Sequence, residues 1–372
     1  MSLLTRLIHS LKALGQLGPR PLALYGLYRF GLWSGHYRRL TSRPLPAGDW
    51  TLHPVLPLPE REVVLRVLGN DRTAALLAEA DEVVAGRVRL FEAEPVDLRL
   101  AFEGPLDHWT AYERRPELLS PLYSSIPDVK FLWEPARFGW AFTLGRAYHV
   151  SGRGYYAEAF WKYAEQFLDA NPPCRGPHWM NAQEVALRLM TFAWAGQVFA
   201  GAPASTPARL ARLAQAVAAH AARIPATLVY ARSQNNNHLL SEAAGLLTAG
   251  LALPDHPESA RWRTLGAKWF DLGLRLQIDG YGEYAQHSTN YHRLMLQLAL
   301  WAGALRAAEG RAGFSPSPAA RKKLAAATHW ALSLLDPPSG RTPNLGANDG
   351  AYIFPLSNCP FADFRPVLHA AA

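Results

Sequence analysis

Cysteine is nearly absent. Cys174 and Cys359 are the only two in 372 residues, far apart and outside any C-x-x-C pattern, which argues against a disulfide-dense scaffold and against a zinc module. Charge is sparse as well: 18% of residues are charged and 49% hydrophobic, too apolar a balance for a disordered chain. Lysine is scarce and the arginines are scattered, without the basic stripes of a nucleic-acid binder. No apolar run reaches the length of a membrane span or a signal-peptide core, because Arg6, His9, Lys12 and Arg20 interrupt the leucines of the first thirty residues. No integral membrane segment is therefore expected, and the cytoplasm is the default compartment, with periplasm or exterior as the alternative. There is no Walker loop, strand-borne G-x-G-x-x-G, H-E-x-x-H or G-x-S-x-G. What is abundant is aromatic: 12 Trp, 14 Tyr and 15 Phe exceed what a plain helical scaffold requires, and a net charge of +8 favours an acidic ligand.

The chain divides by pattern. Residues 1–45 read as two helices, one basic and amphipathic ending near Gly18, the other aromatic-rich from Pro21 to Trp33. Residues 46–130 are a mixed lead-in, with a helix through 71–85 and short strands over 88–91 and 96–102. Over 131–336 the spacing predicts helices at 136–150, 155–170, 181–199, 206–223, 237–251, 259–277, 289–308 and 318–335, in antiparallel pairs. The stops have causes: Ser151-Gly152 is a helix C-terminus, and Asn171-Pro172-Pro173 removes donors and forces extension. Pairs recurring every 45 to 55 residues without a consensus repeat favour a closed ring of inner and outer helices over an open solenoid. Residues 337–372, rich in Pro, Gly and Asn, read as a linker and the opening of a second domain cut short.

Three polar-aromatic clusters precede predicted helices about 55 residues apart: Arg175 to Glu184, Arg232 to Glu242, and Asp279 to Arg293. In a ring of hairpins they converge on one rim, where helix N-termini offer unpaired N–H groups and partial positive charge to a carboxylate or sulfate. The competing reading is turn and cap chemistry for Asn235 to Asn237 and plain packing for Tyr281, Tyr284 and Tyr291.

The stretches NNNHLLSEAAGLLTAGL, YAQHSTNYHRLMLQLALWA and PNLGANDGAYI, with the helical region from Leu132, resemble the heparinase II/III-like proteins over about 130 to 355. The resemblance implies a mainly α fold, an incomplete (α/α) toroid with the family's C-terminal β-sandwich largely missing. It implies a polysaccharide lyase that cleaves uronic-acid-containing acidic glycans by β-elimination. In that likeness Asn237 and His238 match the residues that neutralise the uronate carboxylate, and Tyr291 matches the catalytic tyrosine. Arg175, His178, Trp179, Asn181 and Glu184 match a segment lining the groove, with Gln234, Gln286, His292 and Arg293 as further candidates for substrate contact. No cofactor is expected in the helical region; in the family a metal, where there is one, belongs to the β-sandwich. The expected partner is an acidic polysaccharide, the oligomeric state being left open. The alternative is a non-catalytic accessory protein of polysaccharide binding or biosynthesis, and a third reading is a helical scaffold for proteins.

Overall fold

The computed structural model describes residues 18–46, 48–91, 93–120, 128–305, 314–348, 352–355 and 357–372. The first N-terminal helix expected from the sequence lies outside them. The second is α1 (Pro19–Trp33), followed by α2 (His36–Thr41). In the lead-in, α3 runs over Arg61–Val84, longer than the sequence pattern indicates because Gly69, at φ 66°, carries the chain through a kink that joins two helices. The expected strands shrink to a two-residue antiparallel ladder, β1 (Arg87–Val88) with β2 (Val96–Asp97), and α4 (Trp109–Arg114) follows.

From Lys130 the chain is helical hairpins: α5 (Lys130–Ala136), α6 (Gly139–Ser151), α7 (Tyr155–Ala170), α8 (Ala182–Val198), α9 (Pro207–Arg223), α10 (Leu228–Gln234), α11 (Asn237–Ala252), α12 (Ser259–Gln277), α13 (Thr289–Ala304) and α14 (Pro318–Ser333). Outer helices carry one apolar stripe. In α12 it is Trp262, Gly266, Phe270, Gly273, Leu274 and Gln277, the spacing of one helix face. Gly266 lets that face come within backbone distance of α11, since a Cβ there would sit 2.7 Å from the Ala243 carbonyl oxygen. Two inner helices are buried almost all round: α8 buries every residue but Gln197, and α11 every residue but His238.

Four inner helices, α6, α8, α11 and α13, thus form a ring, backed by α7, α9, α12 and α14. Phe142 of α6 meets Trp194 of α8 at 4.5 Å between ring centroids and Trp301 of α13 at 6.2 Å, and Trp301 Nε1 donates to Thr248 of α11. Each such side chain taken from water stabilises by roughly 1.5–3 kcal/mol.

The seam between α6 and α13 is filled by the C-terminal segment. Phe354 stacks on Trp301 at 4.6 Å, the Gln297 amide grips the Phe354 carbonyl and the Ile353 N–H, and Arg146 of α6 donates to the carbonyls of Pro355 and Ser357. This segment lies on the ring; its described residues hold no strand and end in α15 (Arg365–Ala371). Among the described residues no helix is long and apolar enough to cross a membrane.

Candidate active site

Direct contacts bring the N-termini of the four inner helices together. The Asn237 side-chain amide, opening α11, donates to Gln183 Oε1 at the start of α8 at 2.8 Å. The Asn237 backbone N–H donates to Gln286 Oε1, in the connection entering α13, at 3.0 Å. Arg137, just before α6, forms a two-pronged ion pair with Glu184 of α8, Nε to Oε2 at 2.6 Å and Nη2 to Oε1 at 2.8 Å, and a third bond to Glu134 at 2.5 Å.

Backbone geometry at these entries is unusual. Four of the five non-glycine residues with positive φ among the described residues lie in the connections that lead into inner helices: Phe138 (63°), Cys174 (60°), Asn235 (46°) and His287 (49°). Such conformations cost energy and persist where the surrounding structure dictates them. Caps complete the entries. Asn181 accepts from the Gln183 N–H, Asn236 from the His238 N–H and Ser288 from the Tyr291 N–H.

His238 is the one residue of α11 that keeps surface, and Tyr291 is the one residue between Thr289 and Leu298 that does. Both lie within electrostatic range of the Arg137 charge. Burial opposes that charge, but Glu134 and Glu184, with Tyr291 adding to them, hold the guanidinium protonated well above its ordinary range. The His238 imidazole is pushed down to about 4 by burial, with Glu184 pulling it up and Arg137 pushing it further down, so it is neutral at pH 7. Its Nδ1 is buried with no hydrogen-bond partner among the described residues. The rim thus gathers a neutral imidazole and a phenol that keep surface, a guanidinium held by two carboxylates, and the buried Asn237 amide engaged by Gln183. No group of three or more His, Cys, Asp or Glu arranged for a metal is found among the described residues. A cavity of about 340 Å³ between α3, α6 and the C-terminal segment abuts this rim through Arg137 and Glu134, but Asn237, His238 and Tyr291 do not line it.

The other residues expected to touch substrate divide. Gln286 holds the Asn237 backbone, Glu184 is buried as the partner of Arg137, and Asn181 caps α8. Gln234 is exposed at the end of α10. Arg175 is exposed on the lead-in side, donating to the Leu106 carbonyl at 3.3 Å. Four are turned away, and the structure corrects the expectation that they face a groove. His178 and Trp179 are 0% and 1% exposed, the imidazole edge-on to Phe167 and the indole 4.5 Å from His220. The His292 ring stacks on Trp330 at 4.8 Å and bonds the Ala327 carbonyl. Arg293 lies over the rings of Tyr352, Phe361 and Phe364 and bonds the Phe361 carbonyl. Sequence reading missed Arg137 and gave Gln183 no role; the signal was the acid and base at i, i+3 in W-E-P-A-R, immediately before the first inner helix.

The sequence pattern of the heparinase II/III N-terminus matches residues 108–350. A heparin-sulfate lyase of Bacteroides stercoris is 27% identical over 190 residues, covering 46% of this chain and 28% of that protein. One of Bacteroides thetaiotaomicron is 25% identical over 222 residues, 55% of this chain and 31% of its own length. Among solved structures, a heparinase III superposes with a TM-score of 0.58 at 17% identity, covering 94% of this chain and 51% of that one. A heparinase III gene product with methylated lysines gives 0.51 at 17% identity, covering 85% and 47%. The chain therefore spans less than a third of these curated relatives and about half of the solved ones, and the structural likeness is one of fold, the toroid of helix hairpins.

Proposed function

Because the chain belongs to the heparinase II/III family, we propose that its rim binds an acidic, uronate-containing polysaccharide and cleaves it by β-elimination. Heparan-type glycosaminoglycan is the first substrate to try, since the curated relatives are named heparin-sulfate lyases. In the reaction the proton on C5 of the uronate leaves, the C4–O4 bond breaks, the electron pair becomes a C4–C5 double bond, and O4 takes a proton. The C5 proton is acidic enough only when the neighbouring carboxylate is neutralised.

The rim has groups for each task. Asn237 and the neutral His238 donate hydrogen bonds to the carboxylate, and convergent helix N-termini add positive potential. The Tyr291 phenol removes the C5 proton and protonates O4 on the same face. Arg137 stabilises the phenolate that this requires, and Glu184 and Glu134 fix the guanidinium in place. Arg175 and Gln234, both exposed, are the contacts open to flanking sugars. The observation that carries the reading is that His238 and Tyr291 each keep surface on an otherwise buried stretch, at the entries of α11 and α13, within electrostatic range of the same cation.

The test is to incubate the protein with heparan sulfate, alginate and other uronates and follow the ultraviolet absorbance of the unsaturated product. Product formation that Tyr291→Phe abolishes while binding persists supports the proposal. Absence of product with every uronate overturns it.

A further inference from the structure

The rim does not account for the N-terminal helices. Residues 1–48 carry seven Lys and Arg and no Asp or Glu, so all but one unit of the +8 net charge lies before Asp49. The five arginines of this stretch that lie among the described residues, Arg20, Arg29, Arg38, Arg39 and Arg43, are all exposed. Arg29 also feels the Glu113 carboxyl buried behind α1.

The same helices expose large apolar side chains. α1 turns Tyr28, Gly31 and Leu32 inward, packing on α10, and leaves Leu27, Phe30 and Trp33 at 57%, 59% and 73% exposure. Phe30 and Trp33 lie 5.7 Å apart between ring centroids, in one stripe with Leu27 by helical spacing. Cations border it: Arg20 is two turns from Leu27, Arg29 one turn from Trp33, and the Arg39 guanidinium lies over the Gly35 junction, 3.7 Å from where a Cβ would stand.

A polyanionic sugar chain would satisfy the arginines but has no apolar body in which to bury Leu27 and Phe30. A bilayer with anionic headgroups supplies both, acyl chains for the stripe and phosphates for the cations. We propose that α1 and α2 seat the protein on the surface of an anionic phospholipid bilayer, with α1 in the interfacial plane and Leu27, Phe30 and Trp33 below the headgroups. Docking there would hold the rim near the membrane, because Tyr28 of α1 packs on Tyr230 of α10 at 4.7 Å and Tyr230 on His238 at 5.9 Å.

The test is co-sedimentation of the full chain with phosphatidylglycerol–phosphatidylcholine vesicles and with pure phosphatidylcholine vesicles. The mixed vesicles should bind the protein roughly ten-fold or more better, less so as salt rises. Combined Leu27→Ser, Phe30→Ser and Trp33→Ser should lower binding at least about ten-fold at unchanged melting temperature, since these side chains are already exposed. Combined Arg38→Gln, Arg39→Gln and Arg43→Gln should weaken it and flatten its salt dependence. The single change Trp33→Glu is a second apolar probe should the triple variant misfold. The proposal is overturned by absence of vesicle binding, by equal binding to both vesicles, or by variants that bind as before. It is equally overturned if the same variants instead lose binding to immobilised heparan sulfate, or if the apolar ones convert a dimer to a monomer.

Discussion

The rim and the layer between α8 and α9 are built from the same residue types and end in opposite states. Between the helices, Arg188 donates to the carbonyls of Ala136 and His178 and to His220 Nε2, and its guanidinium lies 4.6 Å from the Phe167 ring centroid. It forms no ion pair among the described residues, and burial lowers its pKa to about 9. At the rim Arg137 keeps a little surface, two carboxylates grip it, and a phenol and an imidazole that keep surface lie within its electrostatic range. Carbonyls and rings close a cation into a structural joint. Carboxylates hold it charged. What separates the two arginines here is their partners.

The hardest blow to that comparison is Tyr291→Phe, which deletes one oxygen at the rim. Turnover should fall roughly 10²–10⁴-fold, with glycan binding and melting temperature kept; unchanged turnover would put the proton transfer elsewhere. Next, Arg137→Met leaves Glu184, 2% exposed, without its counter-charge and should cost about 3–5 kcal/mol in urea unfolding. Arg188→Met strands no carboxylate and should cost less, about 1–3 kcal/mol. Equal losses would erase the distinction.

Acid should then act on both regions alike. His178, His238 and His292 are held neutral by burial, with pKa values near 3, 4 and 4. The unfolded chain, at about 6.5, binds more protons just below neutrality, so their stabilisation is whole above pH 6.5 and drains as pH falls toward those values. Each contributes about 1.4 kcal/mol per pH unit. Urea midpoints between pH 7 and 5 should show this slope, and His292→Gln should flatten it. Smallest are the caps: Asn181→Ala and Asn236→Ala should each cost about 1 kcal/mol by thermal melting, loosening the rim alone.

Much of the fold is legible in the sequence. Helices at 155–170 and 259–277 are found where the apolar spacing puts them, because that spacing and the Gly, Pro and Asn stops act locally. The short helices α2, α4, α5 and α10 are not legible, since six or seven residues carry too little periodicity. The start of α3 is hidden by Gly69, which marks a breaker in sequence and only a kink in structure.

The site is legible unevenly. His238 and Tyr291 keep surface at helix entries and Asn237 is buried beside them, while His178, Trp179, His292 and Arg293 come from the same polar-aromatic clusters and point into packing. Adjacent residues on a helix face directions 100° apart, so Tyr291 can keep surface while His292 stacks on Trp330.

By itself the amino-acid order determined the hairpins and placed a polar cluster ahead of three of the four inner helices, because helix period and chain breakers act over a few residues. Only the closed ring decided which polar groups meet. Arg137 reaches Glu184 and comes within electrostatic range of Tyr291 across the ends of separate helices, over junctions held at positive φ, and those approaches arise from packing between segments that no local pattern encodes.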